Sequence, residues 1–351
     1  MPDGTPLRTL RSAEDLVAAG LIAPARQPEA AAVAACYSIA VTPAVRALID
    51  PADPADPIAR QYLPDAAELV TAPHESADPT ADAPFTPVPG VVHRYPDRAL
   101  LKPLLACPVY CRFCFRREAV GPDGGVLTEA ELDAALAWFA RTPAVREAIL
   151  TGGDPLMLSP RRLARIITAL SALPHIEIIR IHSRVPVADP GRISPGLLAA
   201  LETGTALFLC VHANHAREFT PEAGAALRRL AGAGVALLGQ SVLLAGVNDT
   251  EDALESLFRA MLAARVKPYY LHQLDPAPGT ARFHVPIRRG RALLRALRGR
   301  VTGLAWPTYV LDTPGGGGKA PLGPEFLEAG ADGALTALPP LGRQDGRPPG
   351  A

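Results

Sequence analysis

From residue 99 onward, short apolar runs recur with amphipathic stretches between them, and this alternation leaves few folds open. The runs are ALLKPLLA (99–106), EAILTG (147–152), IEIIRIH (176–182), ALFLCVH (206–212), VALLGQSVLL (235–244) and KPYYLH (267–272). They read as buried strands. Between them, TEAELDAALAWFAR sets Leu132, Leu136 and Phe139 on one helical stripe, and TEDALESLFRAMLAAR does the same with Leu254, Phe258 and Met261. SPRRLARIITAL and SPGLLAALE open with Ser-Pro, an N-cap followed by an N1 proline. The run at 221–233 completes the set. Six strand–helix units in succession predict a parallel sheet with right-handed crossovers. A seventh apolar run, PTYVLD (307–312), follows a helix expected at 288–300. The expected fold is α/β: an incomplete parallel β/α barrel, with a helical and extended segment on its N-terminal side.

The chain has 351 residues, enough for one large α/β domain or two ordinary ones. Residues 1–50 read as mainly helical. IDPADPADPIARQYLPDAAEL (49–69) and APHESADPTADAPFTPVPG (72–90) are proline-rich, and each proline biases its predecessor away from helix. Residues 51–92 therefore read as an extended connector lying against the main body. The expected division is 1–92 for the N-terminal segment, 93–324 for the barrel with a cofactor-binding loop, and 325–351 for a Gly/Pro-rich tail. Basic and acidic side chains balance at 35 each, which gives no electrostatic footprint for nucleic acid or an anionic membrane. No apolar run approaches the ~18 residues of a membrane span. The N-terminus lacks the apolar core of a signal peptide, so a cytoplasmic location is expected.

In β/α barrels the active site gathers at the C-terminal ends of the strands. Here polar residues stand after nearly every run: the cysteines with Arg116 and Arg117, then Gly152-Gly153-Asp154, His182-Ser183-Arg184, His212, His272 with Asp275, and Asp312 before TPGGGGK. Three of the five cysteines, Cys107, Cys111 and Cys114, fall within eight residues, which points to a metal or redox site rather than a disulfide framework. A zinc site would need a fourth ligand, such as Cys210 or a histidine. Three thiolates on a cluster of four irons would instead leave one iron open. DTPGGGGK fails as a P-loop, because Ala320 follows the lysine. A lysine after a mobile glycine hinge, on a strand-end loop, suits a Schiff base to pyridoxal phosphate.

CPVYCRFCFRR (107–117), with an aromatic before its last cysteine, resembles the radical S-adenosylmethionine superfamily. From AVTPAVRALIDPADPADPIARQYLP (40–64) to GGGGKAPLGP (315–324) the chain resembles the lysine 2,3-aminomutases, through HRYPDRALL, LTGGDPL, RIHSRVPV, QSVLLAGVND and YYLHQLD. The resemblance implies a [4Fe-4S] cluster on Cys107, Cys111 and Cys114, with S-adenosylmethionine on its open iron. It implies that Gly152, Gly153 and Asp154 approach the methionine amino group and that His212 touches the adenosyl moiety. Lys319 would hold pyridoxal 5′-phosphate, with Arg94 and Arg98 gripping its phosphate. Arg116 would pair the substrate α-carboxylate, and Asp275 and Asp312 the side-chain ammonium of L-lysine. The implied reaction is an isomerisation: an adenosyl radical takes a hydrogen from C3, the amino group moves from C2 to C3, and the hydrogen returns. A one-electron donor such as flavodoxin or ferredoxin is implied, and homo-oligomerisation is open. His272 and Leu274 resemble shorter relatives that supply (R)-β-lysine for modifying elongation factor P, whereas the PGGGGK glycines resemble the larger enzymes. A radical enzyme for another amino acid and a non-catalytic zinc-stabilised binding module are the rival readings.

Overall fold

The computed structural model describes residues 8–122, 124–329 and 335–337. Nine strands form one sheet in sequence order: β1 (Val91–Tyr95), β2 (Arg98–Leu104), β3 (Glu147–Gly152), β4 (Ile178–Ser183), β5 (Ala206–His212), β6 (Ala236–Val242), β7 (Lys267–His272), β8 (Thr308–Thr313) and β9 (Gly318–Pro321). Strands β2 to β8 pair in parallel, and β1 and β9 close the edges antiparallel. All six expected strands and the seventh run are present, in a parallel β/α arrangement. A separate hairpin joins Leu327–Ala329 to Leu335–Ala337. The rest of the expected tail lies outside the described residues.

Side chains alternate across the sheet, as strand geometry requires. Leu101, Leu150, Ile179, Ile181, Leu209, Val211 and Leu271 enter the main apolar core. That core is completed by helices Glu129–Ala140, Pro160–Ser171, Pro221–Gly232, Glu251–Ala263 and Ile287–Leu297. The intervening positions, among them Lys102, Arg180, His182, His212 and His272, therefore lie on the opposite, concave side. No described helix is long and apolar enough to cross a membrane.

The proline-rich segment is less extended than expected. It contains a helix, Pro57–Tyr62, and two 3-10 turns, Ala66–Leu69 and Ala83–Phe85. Asp56 caps the helix through the N–H groups of Ile58 and Ala59, and Pro57 occupies its first turn. Asp-Pro here is a start signal of the same kind as Ser-Pro. Ile58 and Tyr62 join Leu16, Ile39 and Val41 in a second apolar cluster that also takes in Val109 of the cysteine loop.

The glycine-rich stretch also departs from the expected open loop. It is the turn of the β8–β9 hairpin, and Lys319 sits in β9 directly opposite Asp312. Gly318 has φ +94°, and a Cβ there would lie 2.8 Å from the Tyr95 hydroxyl. The glycine thus permits both the left-handed backbone and the close approach of Tyr95.

Candidate active site

After β2 the chain turns into the cysteine loop. Phe113 is buried with Leu244, Val247, Leu274 and Phe283, and Val109 anchors the other side. Cys107, Cys111 and Cys114 are left lining one cavity together with Tyr37 and Arg117. Burial pushes all three thiols up, Cys111 to about 11, while the Arg184 guanidinium opposes the rise. Arg184 Nη1 lies 3.3 Å from Cys111 Sγ, and its Nη2 donates to Glu218 and Gln61, each at 2.7 Å. Among the described residues no group of three or more His, Cys, Asp or Glu side chains forms a single-ion site. Cys210, the candidate fourth ligand, is buried on β5 beside Arg180. Three thiols around a shared cavity fit a multi-iron cluster, and loading it requires them to lose their protons.

The loop is held from below by Glu68, which is fully buried. Its carboxylate accepts from Arg112 Nε and Nη2, from Arg117 Nη2, and from Arg282 Nη2 at 3.4 Å. Arg112 also donates to the Ser38 carbonyl at 2.9 Å. One carboxylate from the proline-rich segment thus ties the cysteine loop to the N-terminal helices and to the loop after β7.

At the end of β3, Gly152 has φ +102°, and a Cβ on it would lie 2.8 Å from the Leu104 carbonyl oxygen. A Cβ on Gly153 would overlap the backbone of Ala106. These two glycines press backbone against the base of the cysteine loop. Gly153→Ala is therefore expected to destabilise the protein by about 1–3 kcal/mol and to lower iron retention after reconstitution. Thermal unfolding and iron content per chain check it. The Asp154 carboxylate turns inward: Oδ1 accepts from Ser183 Oγ at 2.8 Å and Leu156 N at 3.1 Å, Oδ2 from Arg184 N at 2.7 Å and Val185 N at 3.1 Å. This segment presents its backbone, and its acid joins β3 to the end of β4.

Across the sheet, Lys319 Nζ sits 2.5 Å from Asp312 Oδ2, and His272 Nδ1 lies 3.7 Å from the same oxygen. Burial alone would raise the Asp312 carboxyl, but His272 and the Lys319 ammonium hold it well below the ordinary range. Asp275 behaves oppositely. Burial, then the nearby Asp312 charge, pushes it up to about 7, against Lys319, Arg116 and Arg94. The Lys319 N–H donates to the Tyr95 hydroxyl at 2.8 Å, which brings β9 against β1. Arg98 stacks on the Tyr95 ring at 3.6 Å and pairs with Asp97 at 2.7 Å.

Arg94 and Arg116 converge on a residue that sequence reasoning missed, Asp82. Its Oδ2 accepts from Arg116 Nε at 3.2 Å and Nη2 at 3.0 Å, and from Lys102 Nζ at 3.4 Å. Its Oδ1 lies 3.5 Å from Arg94 Nη2. Arg94 and Arg98 thus have separate partners here. The available signal was Lys102, a lone charge inside an apolar strand, which demands a partner. His212 packs edge-on to Phe113 at 5.8 Å. The Nε2 atoms of His212 and His182 are buried without a hydrogen-bond partner, and burial holds both rings well below the usual histidine range. Orphaned nitrogens on the concave side fit a site that receives a polar ligand.

Two family models match the chain: the radical SAM superfamily over residues 101–257 and lysine-2,3-aminomutase over residues 294–334. An L-lysine 2,3-aminomutase from Clostridium subterminale is 41% identical over 307 residues, covering 87% of this chain and 74% of the relative. One from Acetoanaerobium sticklandii is 42% identical over 289 residues, covering 82% and 70%. A glutamate 2,3-aminomutase from Clostridioides difficile is 34% identical over 288 residues, covering 82% and 68%.

Proposed function

Because the chain belongs to the lysine 2,3-aminomutase family of radical SAM isomerases, whose membership implies a [4Fe-4S] cluster, S-adenosylmethionine and pyridoxal phosphate, we propose that it converts L-lysine to β-lysine. One observation carries lysine over glutamate. Asp312, with Asp275 beside it, already holds a lysine ammonium, that of Lys319. Two carboxylates in a largely dry site favour a cation and repel the side-chain carboxylate of glutamate.

In this reading Cys107, Cys111 and Cys114 hold the cluster, and Gly152 and Gly153 bring backbone toward S-adenosylmethionine. Asp154 fixes that backbone, and His212 faces the adenosyl group. Lys319 anchors pyridoxal phosphate, with Arg94 and Arg98 for its phosphate, and Arg116 takes the substrate α-carboxylate. When bound, these groups supply an adenosyl radical and a carrier for the migrating nitrogen. The chain's own residues bind, orient and exclude water. A one-electron donor of the flavodoxin or ferredoxin kind completes the requirements.

The test is anaerobic reconstitution with iron, sulfide and pyridoxal phosphate, then incubation with reductant, S-adenosylmethionine and either L-lysine or L-glutamate. Chiral chromatography should find β-lysine. The (R) product would match the elongation-factor branch and the (S) product the metabolic one. A β-glutamate product instead would sink the substrate assignment.

A pH dependence follows. Below about pH 7 Asp275 carries a proton and offers an ammonium no charge. The KM for L-lysine is expected to fall as pH rises through that value, and Asp275→Asn should flatten the profile. Without ligand the sign for stability is reversed. The raised carboxyl keeps its proton in the folded state after the unfolded chain has lost it. Its contribution therefore declines as pH climbs from the ordinary carboxylate range toward 7.

A further inference from the structure

Arg94, Lys102 and Arg116 share the single carboxylate of Asp82. The other nearby acid of the segment, Asp78, is committed to the backbone N–H groups of Asp82 and Ala83. Three cations thus share one close carboxylate, with the Asp78 charge acting on Lys102 and the Asp275 carboxyl on Arg94 and Arg116 from further off. The Lys102 side chain is only 19% exposed and the Arg94 and Arg116 side chains 11% and 13%, so solvent does little to screen them. Buried cations that crowd on one carboxylate keep donors it cannot satisfy, and these mark positions for an anion supplied from outside. Lys102 Nζ and Arg116 Nη2 both reach the same oxygen, Asp82 Oδ2, at 3.4 and 3.0 Å, so the two cations are aimed at one point. Lys102 also stands beside the β3 glycines, since a Cβ on Gly152 would come 2.9 Å from the Lys102 Cβ.

We propose that Lys102 is a further carboxylate-binding residue of this site, taking the α-carboxylate of an amino-acid ligand together with Arg116, while Asp82 holds both cations in position. The inference rests on the aminomutase reading for its ligands. Two ligands carry such a group: the amino-acid substrate and the methionyl portion of S-adenosylmethionine. Asp82 is itself fixed by Thr80 Oγ1 at 3.2 Å and by its backbone bond to Asp78 at 2.8 Å. It therefore acts as a positioning residue rather than a loose plug. Burial lowers the affinity of Lys102 for its proton, and Asp82 opposes that loss.

The experiment compares wild type, Lys102→Met and Lys102→Arg as reconstituted holoproteins with matched iron and pyridoxal content. It measures kcat and KM for L-lysine, competitive inhibition by L-lysinamide, whose carboxyl is neutral, and the affinity for S-adenosylmethionine. Lys102→Met is expected to raise the KM for L-lysine roughly tenfold to a hundredfold, the scale of one lost charged hydrogen bond, with a smaller change in kcat. Inhibition by L-lysinamide should stay as in wild type, and Lys102→Arg should recover most of the loss. An unchanged KM with weakened S-adenosylmethionine binding would support the residue's role and assign the carboxylate to that ligand. Unchanged affinity for both ligands would overturn the inference. Wild-type protein that makes no β-lysine would instead fail the aminomutase reading, and the S-adenosylmethionine measurement would then judge Lys102 alone.

Discussion

Lys319→Ala is expected to lower the formation of β-lysine by about 10³-fold or more, the scale on which a group acting covalently is lost. Lys319 lies on an edge strand, and its backbone N–H to Tyr95 does not depend on its side chain. The fold should therefore survive, with iron content and unfolding temperature near those of wild type. Pyridoxal phosphate should no longer be trapped on the chain by borohydride. Lys319→Arg is the sharper control. It keeps a cation for Asp312, yet it cannot form the covalent link, so it too should be inactive. Wild-type turnover in either variant would remove Lys319 from its assigned role.

Glu68→Ala is expected to destabilise the protein by about 3–5 kcal/mol, the cost of breaking a buried ion pair by deleting one partner. The reason is the number of dependants. Arg112, Arg117 and Arg282 all donate to this one fully buried carboxylate, and two of them belong to the cysteine loop. Without it, the Arg112 and Arg117 guanidinium groups remain buried with backbone carbonyls as their acceptors, while Arg282 keeps Asp65 at 2.9 Å. Chemical unfolding should show the loss, and the purified variant should retain less iron. Glu68→Gln keeps the shape and some acceptors, so a smaller loss is expected. Equal stability of Glu68→Ala and wild type would mean the cluster of charges contributes nothing.

The parallel strands were legible because their core-facing positions carry apolar residues in strand period, as in IEIIRIH, or in a nearly unbroken run, as in ALFLCVH. Edge strands β1 and β9 were not. VVHRY and GKAP are short, and GKAP carries no strand pattern; its pairing with β8 comes from the hairpin and from Tyr95. The motif residues were legible by type, yet their partners were not. Asp82 and Glu68 sit among prolines and other acids, where a carboxylate reads as solvated. Only the folded chain brings Asp82 to Arg116, 34 residues on, and Glu68 to Arg112, 44 residues on. The excess of cations around the cysteine motif, with Lys102 inside an apolar strand, was the trace those acids left in the sequence. Gly152-Gly153-Asp154 was legible as a place of close backbone approach, which the structure finds against Leu104 and Ala106, while the inward turn of its carboxylate depends on donors from β4 and beyond.

The most direct test of the amino shift uses L-lysine carrying deuterium at C3, with the reconstituted enzyme, S-adenosylmethionine and reductant. Hydrogen taken from C3 and returned after the nitrogen has moved must arrive at C2, so β-lysine with deuterium at C2 is the predicted result. β-Lysine whose deuterium has been lost to water, or no β-lysine from a protein with a full complement of iron and pyridoxal, would contradict it.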